Sequence, residues 1–380
     1  MRIAILAIGQ RGDVQPLVAL GIELQRRGHQ VRFTAPDDFT DMVGQSPMVP
    51  VPLGISLRDT AAAYRDVPTL VRALRPRILA TLSERTDAII GTYLALSAGT
   101  YARAISVPFI YTAFSPSLPT RAFAHPSYRP LRLGGLYNLL TYRQARRSSQ
   151  LANPDAGCLE QQPYPIQLYA FSSAVVSRPP EWPAHAHVTG YWFLDTPAEY
   201  TPPAALQCFL AGGSPPVVVG FGSSYQSEPL LTARLVLDAL SQAGQRAILL
   251  TGAGQEVAAA SSDRVFVTRE VPFDWLFPRC AAVVHHAGAG TTAQALRSGL
   301  PSVAVPFGMD QPFWARRLVS LGASPAPLAR QRLTSERLAA AIRRAVDDAG
   351  YRANAEAVGR ILRTENGAQT AANLIESQLA

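Results

Sequence analysis

Arg2 to Ile8 is an apolar run with the pattern of a buried strand. Gly9 to Gly12 breaks it as a turn. Val14, Leu17, Val18, Leu20, Ile22 and Leu24 then recur at helical spacing. Arg26-Arg27-Gly28 ends that helix, because glycine suits a left-handed cap and arginines suit the negative helix end. Val31 to Thr34 is a second strand. A strand, helix and strand joined this closely form a βαβ unit, which requires a parallel sheet. Further strands are predicted at Met48 to Val51, Ala88 to Gly91 and Phe109 to Thr112. Gly54 to Glu84 and Ser115 to Ala152 are irregular and rich in Pro, Arg and aromatics, as segments that build a substrate face often are.

The stretch from Leu194 to Pro216 has linker composition, with a short helical pattern in its middle. A second βα series follows. Strands are predicted at Val217 to Gly220, Arg246 to Leu250, Val265 to Val267, Ala282 to His285 and Ser302 to Val305. Helices are predicted at Leu230 to Ala243, Thr291 to Ser298 and Gln311 to Leu321. Ser335 to Leu379 reads as helices broken at Gly350 and Gly367. The expected fold class is α/β. A Rossmann-like domain covers residues 1–195, a linker 196–215 and a second Rossmann-like domain 216–366. A C-terminal helix, 367–380, is placed to pack back on the first domain. Two such halves imply a cleft between the carboxyl ends of parallel sheets, where ligands bind.

Composition narrows the classes. With 380 residues, 48% hydrophobic and 16% charged, the chain can bury sizeable cores and is not a disordered one. The net charge is +8, and all 35 basic residues are arginine. They are spread along the chain with no dense run, so a solvated surface that attracts an anionic substrate is preferred to a nucleic-acid partner. Cys158, Cys208 and Cys280 are far apart and lack metal-ligand spacing, which fits a reduced, cytoplasmic protein. Met1 to Gly9 is short and has no cleavage site, so it is read as a strand and not as a signal peptide.

The motif with most chemistry is His285-His286-Ala287-Gly288-Ala289-Gly290-Thr291-Thr292, at the end of an apolar strand. Gly288 and Gly290 let backbone approach a ligand closely. The helix that starts here offers free N–H groups and partial positive charge to a diphosphate. Thr291, Thr292 and a histidine add donors, the histidine being one that can become cationic. The same residues satisfy a dinucleotide fingerprint, Gly288-x-Gly290-x-x-Ala293, with Asp310 about twenty residues on. A nicotinamide oxidoreductase is therefore the rival reading. The paired histidines and the late position of the motif speak against it.

Asp310-Gln311-Pro312 opens the next helix, with Pro312 expected at its first position. Its carboxylate and carboxamide suit sugar hydroxyls, though an Asp there is also an ordinary helix cap. Asp13, where the first strand meets its helix, is expected to stay ionised and to serve as a general base, with capping the competing role. Gly220-Phe221-Gly222-Ser223-Ser224 is a weaker phosphate-type turn. The chain has no D-x-D metal triplet, nucleophile elbow, P-loop or H-E-x-x-H motif.

Taken together, His286 to Thr292 and Asp310 to Pro312 resemble the donor signature of family 1 glycosyltransferases. Gly12-Asp13-Val14-Gln15-Pro16 and Val271 to Phe277 resemble their bacterial branch, which includes sterol, glycopeptide and polyketide glycosyltransferases. The resemblance implies the GT-B fold, two facing Rossmann-like domains. It also implies inverting transfer without a metal or other cofactor. Carried onto this chain, His286 and Thr291 bind the diphosphate with Ser223, and Gly288, Gly290 and Thr292 belong to the donor-binding set. Gln294 stands where relatives have a ribose-binding Glu, so UDP and dTDP are both left open. Asp310 and Gln311 hold the sugar, the base lies around Val271 and Pro272, and Asp13 takes the acceptor proton. Plant relatives have a catalytic His in place of Asp13 and a stacking Trp near Glu270. His285 ranks below His286, and His29 is read as a surface residue.

The acceptor is expected to be small, hydrophobic and natural-product, sterol or lipid-like, met by Gln10, Arg11, Phe114 and Tyr137. Tyr64, Phe123, Tyr128 and Tyr142 are further aromatic candidates, and such Tyr and Phe residues, Phe114 and Tyr137 included, are more often found in a core. Arg129, Arg132, Arg143, Arg146 and Arg147 are read as a solvated helix face in preference to a membrane-surface or acidic-acceptor site. A non-catalytic transferase-like partner protein is the remaining alternative. The retained Asp13, His286, Asp310 and Gln311 favour an enzyme.

Overall fold

The computed structural model describes residues 1–56, 67–82, 85–157, 166–221, 229–251 and 261–379. They divide into two units, Met1–Leu194 with Glu365–Ala380, and Asp195–Thr364. Each unit carries one sheet whose described strands are all parallel.

The first sheet contains β1 (Arg2–Leu6), β2 (Gln30–Ala35), β3 (Val49–Pro52), β4 (Ala88–Gly91), β5 (Phe109–Ala113), β6 (Gln167–Tyr169) and β7 (Ala186–Val188), in the order β3-β2-β1-β4-β5-β6-β7. Its helices are α1 (Arg11–Arg26), α2 (Thr40–Gly44), α3 (Val67–Ala80), α4 (Leu96–Ala104) and α5 (Gly134–Ala152). The chain order reverses between β1 and β4, so a crevice-forming switch point lies at their carboxyl ends. There Thr92, buried, donates its hydroxyl to the Ile8 carbonyl and ties the two loops together.

The second sheet contains β8 (Val217–Gly220), β9 (Ala247–Leu250), β10 (Val265–Thr268), β11 (Ala282–His285) and β12 (Ser302–Ala304), in the order β10-β9-β8-β11-β12. Its helices are α6 (Ala204–Ala211), α7 (Pro229–Ala243), α8 (Phe273–Leu276), α9 (Ala289–Arg297), α10 (Gln311–Ser320), α11 (Ser335–Asp347) and α12 (Ala349–Thr364). The switch point of this sheet lies between β8 and β11. Leu206, on α6, is fully buried with Val218, Ile248 and Val283, so the proline-rich stretch before β8 contributes to this unit's core.

The last helix, α13 (Gly367–Leu379), belongs to the first unit, where Ala371, Ala372 and Ile375 join the core of α1 and β1. Gly28 adopts φ +86, and the bonds Gly28 N–H to Gln25 O and His29 N–H to Leu24 O close a Schellman cap on α1. This turn delivers His29 to α13, where its Nε2 lies 2.9 Å from Glu376 Oε1. Arg27 Nη1 donates to the other Glu376 oxygen at 2.7 Å. His29 is thus a half-buried tether and not the surface residue its position after a helix cap suggested. Gly350 also departs from expectation. The chain turns at Asp348, and Gly350 already lies in the first turn of α12.

Candidate functional site

In the first unit, Gly9 follows β1 and Asp13 occupies the third position of α1. Asp13 Oδ2 accepts the Gln10 backbone N–H at 2.9 Å, so the carboxylate caps the helix that carries it. Gly9 sits at φ +154, and a Cβ there would overlap the Asp13 carboxylate. Glycine is required for two reasons, the backbone conformation and the space. Gln10 and Arg11 are exposed, and Arg11 Nε donates to Gln15 Oε1 at 3.2 Å.

In the second unit, β11 ends at His285 and α9 begins at Ala289, with Gly288 as N-cap. Thr292 N–H bonds the Gly288 carbonyl, which leaves the N–H groups of Ala289, Gly290 and Thr291 with no partner inside the helix. His285 is fully buried, and its Nδ1 accepts the Ala287 N–H at 3.1 Å. That contact places its ring proton on Nε2. Ala287 is held at φ +60, a left-handed conformation that alanine rarely adopts. The ring of His286 lies against Gly288, where a Cβ would sit 2.5 Å from Nε2. Its Nδ1 is buried and unpartnered among the described residues. Burial pushes His286 down to about 4 and His285 to about 3, the latter helped by its neighbour. Both are neutral at pH 7, so in the free protein His286 is a neutral donor and not the cation the motif allowed.

The loop after β12 is strained in the same way, with Met309 at φ +56 and 80% exposed. These two loops hold both non-glycine left-handed residues described in this unit, and such strain gathers at working sites. Asp310 takes the N-cap position of α10, but its side chain does not cap. Instead Asp310 Oδ2 accepts the indole N–H of fully buried Trp314 at 2.9 Å. Gln311, not Pro312, opens the helix, and its Oε1 accepts the N–H groups of Phe307 and Gly308 at 2.8 and 3.2 Å. Its amide nitrogen is then the end left to meet a ligand.

Other expected residues are placed differently. Thr292 is fully buried, its hydroxyl has no partner among the described residues, and its N–H is taken by the Gly288 carbonyl, while the Val271 side chain is packed in the core, so neither side chain faces solvent. Pro272 is the N-cap of α8. Gln294 is nearly buried, donates to Ser298 Oγ at 3.3 Å, and lines a polar pocket of about 450 Å3 with Asp195, Asp274, Arg297 and Glu356. Phe114 packs edge-on against Trp192, and Tyr137 donates to the Arg129 carbonyl at 2.6 Å. Tyr142 is buried against His125. Ser223, Ser224, Gly222, Tyr64 and Cys158 lie outside the described residues. Sequence reasoning missed Trp314 and underweighted His285, since neither contact is visible from residue type.

Among the described residues, no three His, Cys, Asp or Glu side chains converge as metal ligands, and no helix is long and apolar enough to cross a membrane.

The glycosyltransferase family 28 N-terminal domain matches residues 3–121, and the erythromycin biosynthesis protein CIII-like C-terminal domain matches residues 234–376. The O-mycaminosyltylonolide 6-deoxyallosyltransferase of Streptomyces fradiae is 33% identical, over 99% of this chain and 97% of that one. A sterol 3-beta-glucosyltransferase of Arabidopsis thaliana is also 33% identical, over 90% of this chain but only 62% of its own length. Among solved structures, the glycosyltransferase of kitacinnamycin superposes with a TM-score of 0.71 over 100% of this chain and 99% of that one, at 21% identity. VinC, a glycosyltransferase in complex with dTDP, gives 0.69 over 100% and 99%, also at 21% identity. These two likenesses speak for the fold, which is GT-B. The dinucleotide reading falls here, since the glycines follow the fourth strand of their sheet and the relatives are transferases. The chain belongs to the family 1 glycosyltransferases, with a family 28 type N-terminal domain and an erythromycin CIII-like C-terminal domain, and it is a glycosyltransferase enzyme.

Proposed function

We propose that this enzyme moves a sugar from a UDP- or dTDP-sugar onto a hydrophobic natural-product, sterol or lipid-like acceptor in the cytoplasm, without a metal and with inversion at the anomeric carbon. The observation that carries this reading is the β11–α9 junction, where His286, whose buried Nδ1 has no partner among the described residues, stands beside three N–H groups that have no partner inside their helix. Such a junction binds a diphosphate through backbone dipoles and neutral donors.

In this reading Asp13 takes the proton of the acceptor hydroxyl as its oxygen bonds to the anomeric carbon. The bond from that carbon to the diphosphate breaks, and the electron pair leaves with the nucleoside diphosphate. The N–H groups of Ala289, Gly290 and Thr291, with His286, stabilise the leaving charge. Asp310, fixed by Trp314, and the Gln311 amide hold sugar hydroxyls. Displacement on the face opposite the leaving group inverts the centre. The O-mycaminosyltylonolide and sterol transferases among the relatives support the acceptor class.

The test is product analysis with UDP- and dTDP-sugars and a panel of macrolactone and sterol acceptors in EDTA. The reading expects a glycoside whose anomeric proton coupling shows inversion. A retained configuration, or turnover only with a divalent cation, overturns it.

A further inference from the structure

One surface is not used by this chemistry. Residues 88–154 contain seven arginines and no Asp or Glu. Between residues 129 and 151 lie five of the large apolar side chains exposed among the described residues: Leu131, Leu133, Leu136, Leu140 and Leu151. On α5, positions 136, 140, 143, 147 and 151 fall on one stripe by helical spacing, Leu-Leu-Arg-Arg-Leu. Leu136 is 70% exposed, Leu140 59% and Leu151 83%. The opposite side anchors the helix through buried Thr141 and Tyr142. Arg129, Arg132, Arg143 and Arg147 are exposed, and none forms an ion pair among the described residues.

A solvated helix face is polar around its exposed side and commonly pairs its charges. This face does neither, and leucines exposed to this degree among unpaired arginines need a partner that is apolar and negatively charged together. A second copy of the chain is a poor candidate, because a two-fold contact would set arginine against arginine. We propose that the α5 face docks the enzyme on an anionic lipid surface, with Leu133, Leu136 and Leu140 entering the acyl boundary and the arginines meeting headgroup phosphates. This replaces the solvated-face reading of the sequence. Docking is independent of the acceptor's identity, although it would bring the enzyme to the phase in which a sterol- or lipid-like acceptor dissolves.

The experiment is co-sedimentation of the full chain with vesicles of phosphatidylglycerol in phosphatidylcholine, against phosphatidylcholine alone, at low and high salt. The wild type is expected to partition onto the anionic vesicles and to be released by salt. Each arginine at such a surface is worth roughly fivefold, so R143S/R147S is expected to bind at least about tenfold more weakly. L136Q/L140Q is expected to lose binding comparably while keeping the wild-type melting temperature, which separates docking from folding. Three results overturn the proposal: no preference for anionic vesicles, binding as tight as the wild type by both double variants, or a dimer in light scattering that L136Q/L140Q dissolves. Nucleotide binding, measured by calorimetry on the same preparations, reports on the transferase reading separately.

Discussion

The Nδ1 of His285 accepts the backbone N–H of Ala287 at 3.1 Å, across a single intervening residue. That residue is His286, so the contact fixes the loop on both sides of it. The left-handed Ala287 costs roughly 1–2 kcal/mol for a non-glycine residue, and the buried imidazole opposes that cost. His285 is therefore a positioning residue that sets where His286 and the start of α9 stand.

Replacing His285 by Ala removes the acceptor and leaves a void in the core. Stability is expected to fall by about 2–4 kcal/mol. Nucleoside diphosphate affinity is expected to fall roughly tenfold or more. His285→Asn, which keeps a short acceptor, should recover part of the affinity even where stability stays low. Urea unfolding and calorimetry separate the two effects.

At the first sheet's switch point the expected effects are on rate. Asp13→Asn removes the proposed base and is expected to lower kcat by about 10²–10⁴, with dTDP or UDP affinity unchanged. Gly9→Ala should act in the same direction, because its Cβ displaces the Asp13 carboxylate and strains the backbone. A large change in nucleotide affinity for either variant would count against the assignment.

In the second unit, Trp314→Phe keeps the ring packing but removes the N–H that orients Asp310. Sugar-nucleotide affinity is expected to weaken by roughly threefold to tenfold, from a hydrogen bond worth about 1 kcal/mol. The free nucleoside diphosphate should bind as before. Equal weakening of both ligands would show that Asp310 does not act on the sugar.

Stability should also depend on pH. His125, His285 and His286 are pushed by burial down to about 4, 3 and 4 from an ordinary value near 6.5. Below 6.5 the unfolded chain takes up protons that the folded chain refuses. Stability is therefore full above about pH 6.5 and is lost as the pH falls toward 4. Each group contributes a slope of about 1.4 kcal/mol per pH unit within that window. Glu376, Asp87 and Glu181, whose folded values are lowered, add losses only in the carboxylate range below it. Urea unfolding at pH 7.5, 6.5 and 5.5 measures the slope, and a flat profile would contradict it.

Much of this architecture is legible in the chain because each motif sits on a strand-to-helix junction whose periodicity changes from buried run to amphipathic helix. β1, β4, β8 and β11 announce themselves as apolar runs ended by glycine or histidine. β6 and β7 do not, since three residues each give no periodicity and they follow irregular sequence. Local reading also gives no sign that Glu376 would reach His29, or that Gln311 would spend its carbonyl on the backbone of Phe307 and Gly308. The α5 face was visible as arginines but not as a surface, because exposure of Leu136 and Leu140 depends on which side Tyr142 buries.

The β11–α9 junction is expected to bind a nucleoside diphosphate without a metal. Isothermal titration of dTDP and UDP into the wild type and His286→Ala, in EDTA, tests it most directly. Saturable binding by at least one nucleotide is predicted, weakened by about 10–100-fold in the variant, the loss expected for a hydrogen bond to a charged group. Binding that requires added divalent cation, or a variant that binds as tightly as the wild type, would contradict it.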